Sequence, residues 1–388
     1  MKDFIYHSPT QIYFGDYVEQ VGSIIKEKGF KNVLFHYGQQ SIHKTGLYER
    51  VSASLQKAEL NVVELGKVEV NPKIDLVRTG VKLAKENKID FVLAVGGGSV
   101  IDSAKLIGCA TMVDFDPWLF SNHEKVPKCT LPVGVILTIS AAGSELSNSC
   151  VITNPALKIK NGFNSEIIRP VFAIMDPTLT CTVSKYQTAC GIVDIMMHTM
   201  ERYFVDDASL DFTDSIAIGL LKSVMKAGNA VMINPNDIHA RATLMIASSF
   251  SHNGLTGMGS TMYFTVHKLE HILSGTYDSI AHGAGLAVLF PAWAKWIYPH
   301  LKEKFATFAK EVMEIEEEDV NLKIEKAIDA LKDFYHKMGM PTSFTELGLT
   351  DEQIEELVKL ATNHYQTTIP GFIALDANKI REIFQLAK

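Results

Sequence analysis

Two pairs of ligand-type residues stand one helical turn apart in the second half of the chain. Asp194 and His198 are four positions apart in GIVDIMMHTMERY, and His267 and His271 are four apart in TVHKLEHILSG. Residues at i and i+4 share one face of an α-helix, so each pair can aim two side chains at a single point. His282 follows in SIAHGAGLAVLFPAW, so that His267, His271 and His282 fall within sixteen residues. One carboxylate and up to four imidazoles form the O/N donor set that divalent iron, zinc or a similar ion takes. Taken singly, a histidine on a helix is more often a satisfied core or surface residue, and an i,i+4 pair arises readily by chance. The local setting argues for the ion. Asp194 lies in the apolar run VDIMMH, where an unpaired carboxylate is costly to bury, and the glycine-rich apolar segment after His282 would hold that histidine inside. Glu201 and Arg202 read as a solvated or ion-paired flank.

The first half carries a different signal. Asp90 to Lys105 reads DFVLAVGGGSVIDSAK: an apolar strand, three glycines, then the start of a helix. Glycines let backbone approach an anion, and a helix N-terminus offers free N–H groups and a positive dipole end. Gly96, Gly97, Gly98 and Ser99 are therefore candidates for a pyrophosphate cradle, although the run is not the GxGxxG fingerprint. A glycine turn capped by Ser99 is the plainer alternative. Asp102 and Lys105, one or two turns in, read on their own as solvated helix residues. A second clue is HYGQQS at the end of an earlier strand. An acid there would bind a ribose diol and repel a 2′-phosphate. Gly38, Gln39, Gln40 and Ser41 supply none, and His43 and Lys44 follow, which leaves room for NADP(H); otherwise this is only a polar turn.

The elements that must position these groups separate into two regions. Up to about residue 183, apolar runs (NVLFHYG, NVVELG, DFVLAVGGG, PVGVILTIS) read as buried strands. They alternate with amphipathic stretches such as GLYERVSASLQKAE and PKIDLVRTGVKLAKENK. That alternation predicts a βαβ, mostly parallel sheet over 1–183. IYFG reads as an edge strand or hairpin, one that a dimer could share. From 184 to 388 the strand signals fade and the periodicity is helical, with Thr350 and Gln353 forming a capping-box pattern before DEQIEELVKLATNHY. The expectation is an α/β domain followed by an all-helical domain.

Bulk properties narrow the function classes. At 388 residues the chain exceeds one comfortable core. The formal net charge of −7, with no Lys/Arg run, gives no basic footprint for nucleic acid. The cysteines at 109, 129, 150, 181 and 190 are odd in number and lack CxxC spacing, which suits free thiols in a reducing compartment. MKDFIYHSPTQIYFG lacks the apolar stretch of a signal peptide, and runs such as VGVILTI are too short to cross a bilayer. A cytoplasmic enzyme without nucleic-acid or membrane partners is the expectation.

Nearly the whole chain resembles the iron-containing (group III) alcohol dehydrogenase family, in particular its butanol dehydrogenase-like, NADPH-preferring aldehyde-reductase branch. The resemblance runs through SPTQIYFG, VNPKIDLVRTG, AVGGGSVIDSAK, GSELSNSCVITN, PVFAIMDPTLT, GIVDIMMHTMERY, HKLEH, AHGAGLAVLFPAW and GMPTSFTELGL. It implies a Rossmann-like dinucleotide-binding domain followed by a helical metal domain, the architecture shared with dehydroquinate synthase. By position it implies Asp194, His198, His267 and His282 as ligands to one Fe2+ or Zn2+ ion, with His271 beside the nicotinamide as a proton relay. It further implies cofactor contacts from Gly38, Ser41, Asn71, Gly97, Gly98, Ser99, Asp102, Thr138, Lys160 and Leu179, with NADP(H) preferred over NAD(H), and a homodimer. Two positions depart from the family pattern: Ala142 stands where a Thr precedes GSE, and Ser184 where a Pro is usual.

The activity implied is reversible hydride transfer between a nicotinamide and short-chain aldehydes or primary alcohols such as butanol, with the ion polarising the substrate oxygen. Leu146, Phe250 and Trp293 are the apolar residues expected on the substrate side. One rival is a dehydroquinate synthase-like lyase, which needs a basic pocket for a phosphorylated acid; Lys268 is the lone cation in the stretch from His267 to His282. The other is a protein whose ion or nucleotide is purely structural.

Overall fold

In the computed structural model, which describes residues 2–205 and 210–388, the apolar runs of the first half become parallel strands. Among the described residues the strands, parallel except for the β6–β7 pair, are β1 (Gln11–Phe14), β2 (Asn32–Tyr37), β3 (Asn61–Leu65), β4 (Phe91–Gly96), β5 (Val133–Leu137), β6 (Ser149–Asn154), β7 (Ile159–Asn164) and β8 (Phe172–Met175). Six of them make one sheet in the order β1-β8-β5-β4-β2-β3, every neighbour parallel. The helices of this region are α1 (Val21–Glu27), α2 (Ser41–Lys44), α3 (Leu47–Lys57), α4 (Ile74–Glu86), α5 (Gly98–Thr111) and α6 (Trp118–Ser121). All six residues of β4 are buried, which is why it reads as a continuous apolar run rather than an alternating one.

Two details differ from the sequence reading. NVVELG forms β3, but as an edge strand with Asn61, Val62 and Glu64 exposed rather than as a buried one. The stretch CVITN pairs with Ile159–Asn164 as an antiparallel hairpin, β6 with β7, that the alternating pattern did not announce. IYFG is the opposite edge, β1, in parallel register with β8.

The strand order places β2 and β4 side by side. From β2 the chain moves outward to β3, whereas from β4 it moves the other way to β5. Ligands of open α/β sheets bind at the carboxyl ends of strands where the order reverses in this manner. Gly38, just after β2, and Gly97, just after β4, stand at that point. A Cβ on Gly38 would lie 3.8 Å from Cγ2 of Val100 in the first turn of α5.

Among the remaining described residues the elements are helices: α7 (Lys185–Tyr203), α8 (Asp211–Ile233), α9 (Ile238–His252), α10 (Thr265–Thr276), α11 (His282–Ile297), α12 (Lys302–Glu311), α13 (Val320–Lys337), α14 (Asp351–Ala361) and α15 (Ala377–Leu386). It separates as its own unit, Ser184–Lys388, which also takes the residues up to Tyr6; the other unit is His7–Val183. Ser184, the departure from proline, is the N-cap of α7, its hydroxyl accepting from the Gln187 amide at 3.2 Å. Every residue of α7 from Thr188 to Tyr203 is buried, so this helix is the axis of the bundle. By length and apolarity α8 could cross a membrane. Yet it buries Thr213, Ala217, Leu221, Val224, Ala227 and Val231, a stripe at helical spacing of the kind that faces a core, and packs on α7 and α9. The capping box of α14 forms as its sequence predicts, Thr350 and Gln353 bonding reciprocally. Trp293 belongs to the bundle core, beside Phe290.

Candidate metal centre

Four side chains from three helices converge inside the helical unit. From α7 come Asp194 and His198, both buried, with Nδ1 of His198 3.2 Å from Oδ1 of Asp194. From α10 comes His267, its Nε2 3.6 Å from the same oxygen, and from the first residue of α11 comes His282, its Nε2 at 3.7 Å. Ligands about 2.0–2.1 Å from one ion in a tetrahedral arrangement lie about 3.4 Å from each other. Ligand atoms of Asp194, His267 and His282 all lie within 4.8 Å of one another, as those of a common ion do, and His198 joins them through its contact with Asp194. The hydrogen bonding agrees. Oδ1 of Asp194, Nδ1 of His198 and Nε2 of His267 are buried without a hydrogen-bond partner among the described residues. Buried polar atoms rarely remain so. Three of them facing one another fit a divalent cation.

Protonation follows the surroundings. Burial pushes His198 well below the usual histidine range, and the neighbouring His252 and His267 push the same way. Burial also pulls on His267, but the carboxylates of Glu201 and Asp194 outweigh it and raise this ring to about 9. A divalent ion competes with that proton for the Nε2 lone pair. His271 lies one turn beyond His267 on α10, half-buried, its ring centre 6.4 Å from that of His267 and 5.6 Å from that of His282. Ligand atoms of Asp194, His267 and His282 form one close group and those of Glu270, His271 and His282 a second, so His271 adjoins the cluster at His282.

The expectation for Glu201 and Arg202 needs correction. Neither is a solvated flank; both are buried. Glu201 contacts Nδ1 of His267 and also accepts the amides of Val266 at 2.6 Å and His267 at 3.1 Å. Arg202 donates to the carbonyl of His198 at 2.7 Å and lies over the ring of Phe264, 4.5 Å from its centre. A second buried carboxylate, Glu270 on α10, contacts Nδ1 of His282. The glycines of AHGAG explain the close packing. A Cβ on Gly283 would lie 2.4 Å from the carbonyl oxygen of Cys190, so glycine lets α11 begin directly against α7 one turn before Asp194. A Cβ on Gly285 would meet Cγ of Glu270 at 2.9 Å.

The other unit holds the glycine-rich turn. Gly97 is the N-cap of α5, and Gly98 and Ser99 begin its first turn with no side-chain cap on the helix. The amides of that turn point out as an anion site does. A Cβ on Gly97 would come within 2.3 Å of Cγ2 of Ile139, and one on Gly98 within 3.3 Å of Cβ of Ala142. The segment after β5, including Thr138, whose amide bonds to the Gly96 carbonyl at 3.1 Å, thus lines the turn. Asn71 is buried in the left-handed conformation at φ 54°. Ser41 opens α2, Lys160 lies half-buried in β7, and Leu179 packs against the sheet's core.

Neither Asp102, half-buried, nor Lys105, fully buried, is a freely solvated helix residue. Asp102 accepts the Ser144 hydroxyl at 2.5 Å and the Val151 amide at 3.0 Å. The Lys105 ammonium is fully buried and donates to the carbonyls of Ser144, Ser147 and Ser149 at 2.7, 3.0 and 2.8 Å. Both side chains therefore organise the 144–151 segment beneath the turn.

Comparison with known proteins joins the two units. Residues 9–177 match the family described as iron-containing alcohol dehydrogenase, and residues 188–387 match the C-terminal region of the same family. The chain belongs to the iron-containing alcohol dehydrogenase family. NADH-dependent butanol dehydrogenase A of Clostridium acetobutylicum is 37% identical over 99% of each chain. The NADPH-dependent aldehyde reductase YqhD of Escherichia coli is 32% identical over the full length of both. Among solved structures, the NADH-dependent butanol dehydrogenase A of Thermotoga maritima superposes with a TM-score of 0.95 at 37% identity, covering 100% of this chain and 99% of that one. The parallel α/β unit followed by a helical unit is therefore this family's fold.

Proposed function

We propose that the protein is a metal-dependent, NAD(P)-linked alcohol dehydrogenase and aldehyde reductase. It moves hydride between a nicotinamide and short-chain aldehydes or primary alcohols such as butanol. The observation that carries this reading is the convergence of Asp194, His198, His267 and His282 on one point, with three buried ligand atoms otherwise unbonded. These four residues hold one Fe2+ or Zn2+ ion, which supplies Lewis acidity toward a substrate oxygen. Asp194 supplies the one anionic donor of the set, and the neutral imidazoles complete it. Half-buried His271, beside His282, passes the proton between the site and solvent. Gly97, Gly98 and Ser99 bind the cofactor diphosphate through backbone amides at the start of α5. Gly38, Ser41, Asn71, Thr138, Lys160 and Leu179 supply further contacts to the cofactor. Asp102 acts on it through the Ser144 segment it holds.

The cofactor reading is NADP(H) in preference to NAD(H). No carboxylate lies between Gly38 and Lys44, and Glu64 on the neighbouring strand is engaged by the hydroxyls of Tyr37 at 2.9 Å and Tyr48 at 2.8 Å. A 2′-phosphate would meet no charge repulsion from the turn itself. The names of the relatives point both ways on this choice. A homodimer, supported by the outer edge of β1 and by Ile5, 97% exposed, beside half-exposed Phe4, and a cytoplasmic location, in keeping with cysteines that lack CxxC spacing, complete the reading. The lyase alternative gains no support, because Arg202 is committed to Phe264 and His198 rather than to a phosphate pocket. The test is the ratio of kcat/KM for NADPH and NADH with butanal. A ratio above one supports the cofactor reading, a strong NADH preference overturns it, and no turnover with either overturns the activity.

A further inference from the structure

We infer that Glu201 and Glu270 are positioning residues for the ion site, each fixing one histidine so that its Nε2 faces Asp194. The inference rests on the reading of the Asp194 cluster as an ion site. Glu201 is 5% exposed and Glu270 fully buried, and a buried carboxylate is tolerated where hydrogen bonds hold it. Each is bonded to Nδ1 of a histidine, Glu201 to His267 and Glu270 to His282. With the ring proton held at Nδ1, the lone pair of a neutral imidazole is at Nε2, which is the atom that both rings present to Asp194. A carboxylate behind a ligating imidazole also raises its basicity and fixes its plane.

The two carboxylates are built into the fold in different ways. Glu201 stands on α7 at i+7 from Asp194, two turns along the same face. Its oxygens take the Val266 and His267 amides in the first turn of α10. The residue that should cap α10, Phe264, is left-handed at φ 52° and gives no side-chain cap. Glu201 therefore caps a helix from another helix and sets where His267 stands relative to Asp194. Glu270 instead bridges α10 to the first residue of α11, in space that only a glycine at 285 leaves open. His198 is oriented otherwise, presenting Nδ1 to Asp194 with the ring of His252 against it, centres 4.0 Å apart.

The test uses Glu201→Gln and Glu270→Gln in the full chain, with Co(II) as the probe. Glutamine keeps the size and one acceptor oxygen but removes the charge. Binding is read by competition with a chromophoric chelator, the donor set by the visible ligand-field spectrum, and the fold by the melting temperature of the chelator-treated protein. The expected result is Co(II) binding weaker by about 10–100-fold in each variant, with shifted ligand-field bands and little change in melting. Binding within about twofold of wild type in both variants overturns the inference. So does weaker binding with unshifted bands and a matching drop in melting temperature, which marks a general loss of fold. If wild type itself binds no Co(II), the ion-site reading fails and the inference falls with it.

Discussion

Replacing Lys105 with methionine tests whether a buried ammonium holds the nucleotide unit's glycine-rich turn in shape. The side chain is fully buried in α5, and its nitrogen reaches three carbonyls, the farthest at 3.0 Å, and the hydroxyls of Ser144 and Ser147 at 3.0 and 3.3 Å. Burial pulls the ammonium below its usual range while Asp102 pushes it back up. Methionine fills much of the same volume but leaves those carbonyls and the Asp102 charge without their cation. Removing one partner of such a buried charged network costs about 3–5 kcal/mol. For a unit of this size that lowers the melting temperature by roughly 6–20 °C. Calorimetric unfolding of Lys105→Met, Asp102→Asn and the double variant measures both the loss and the coupling. With the uncompensated acid also removed, the double variant should be more stable than the sum of the single effects by about 0.5–3 kcal/mol. A melting temperature within about 2 °C of wild type for Lys105→Met would mean that the buried ammonium does not hold the 144–151 segment in place.

Other perturbations follow from individual side chains. His36 bonds through Nδ1 to the Leu65 carbonyl at 2.7 Å and through Nε2 to the Ser103 hydroxyl at 2.9 Å, and burial lowers it from 6.5 to about 4. Its neutral form is favoured in the fold, so its contribution is complete above 6.5 and is lost as the pH falls toward 4, about 3 kcal/mol in all. Urea unfolding of wild type and His36→Gln should show their stability difference shrinking over that window; parallel pH profiles would contradict it. The hydroxyl of Tyr335 is buried without a hydrogen-bond partner among the described residues, so Tyr335→Phe should leave stability unchanged or raise it by about 1–2 kcal/mol, and a loss of that size would argue against the assignment. Gly283→Ala places a methyl 2.4 Å from the Cys190 carbonyl. It should destabilise the helical unit by about 1–3 kcal/mol and weaken ion retention, whereas wild-type melting and ion content would show that α11 need not start against α7.

Much of the site could be read from spacing because its parts are local. Asp194 with His198, and the strand–glycine–helix run ending at Lys105, are each contained within one element and its cap. What escaped depends on distant partners. Glu201 sits at the i+7 position of the Asp194 face, yet the polar ERY ending of α7 looks like solvent-facing helix. Only the arrival of the α10 N-terminus, 65 residues later, makes it internal. Glu270 lies between His267 and His271 in HKLEH, and only the start of α11 against α10 gives it a histidine to hold. Lys105 finds its carbonyls on serines 39 to 44 positions away, which no local pattern encodes. β3 carries the same apolar types as its neighbours, and its edge position comes from strand order, a property of topology and not of composition.

If Asp194, His198, His267 and His282 hold the ion on which hydride transfer depends, metal content and turnover must rise and fall together. Bound metal and NADPH oxidation with butanal are measured on the same preparations of wild type, His267→Ala and chelator-treated wild type. Wild type should carry one divalent ion per chain and turn over, His267→Ala should lose both, and chelation should abolish turnover until Fe2+ or Zn2+ is added. Undiminished turnover in protein shown to contain no metal would contradict that dependence.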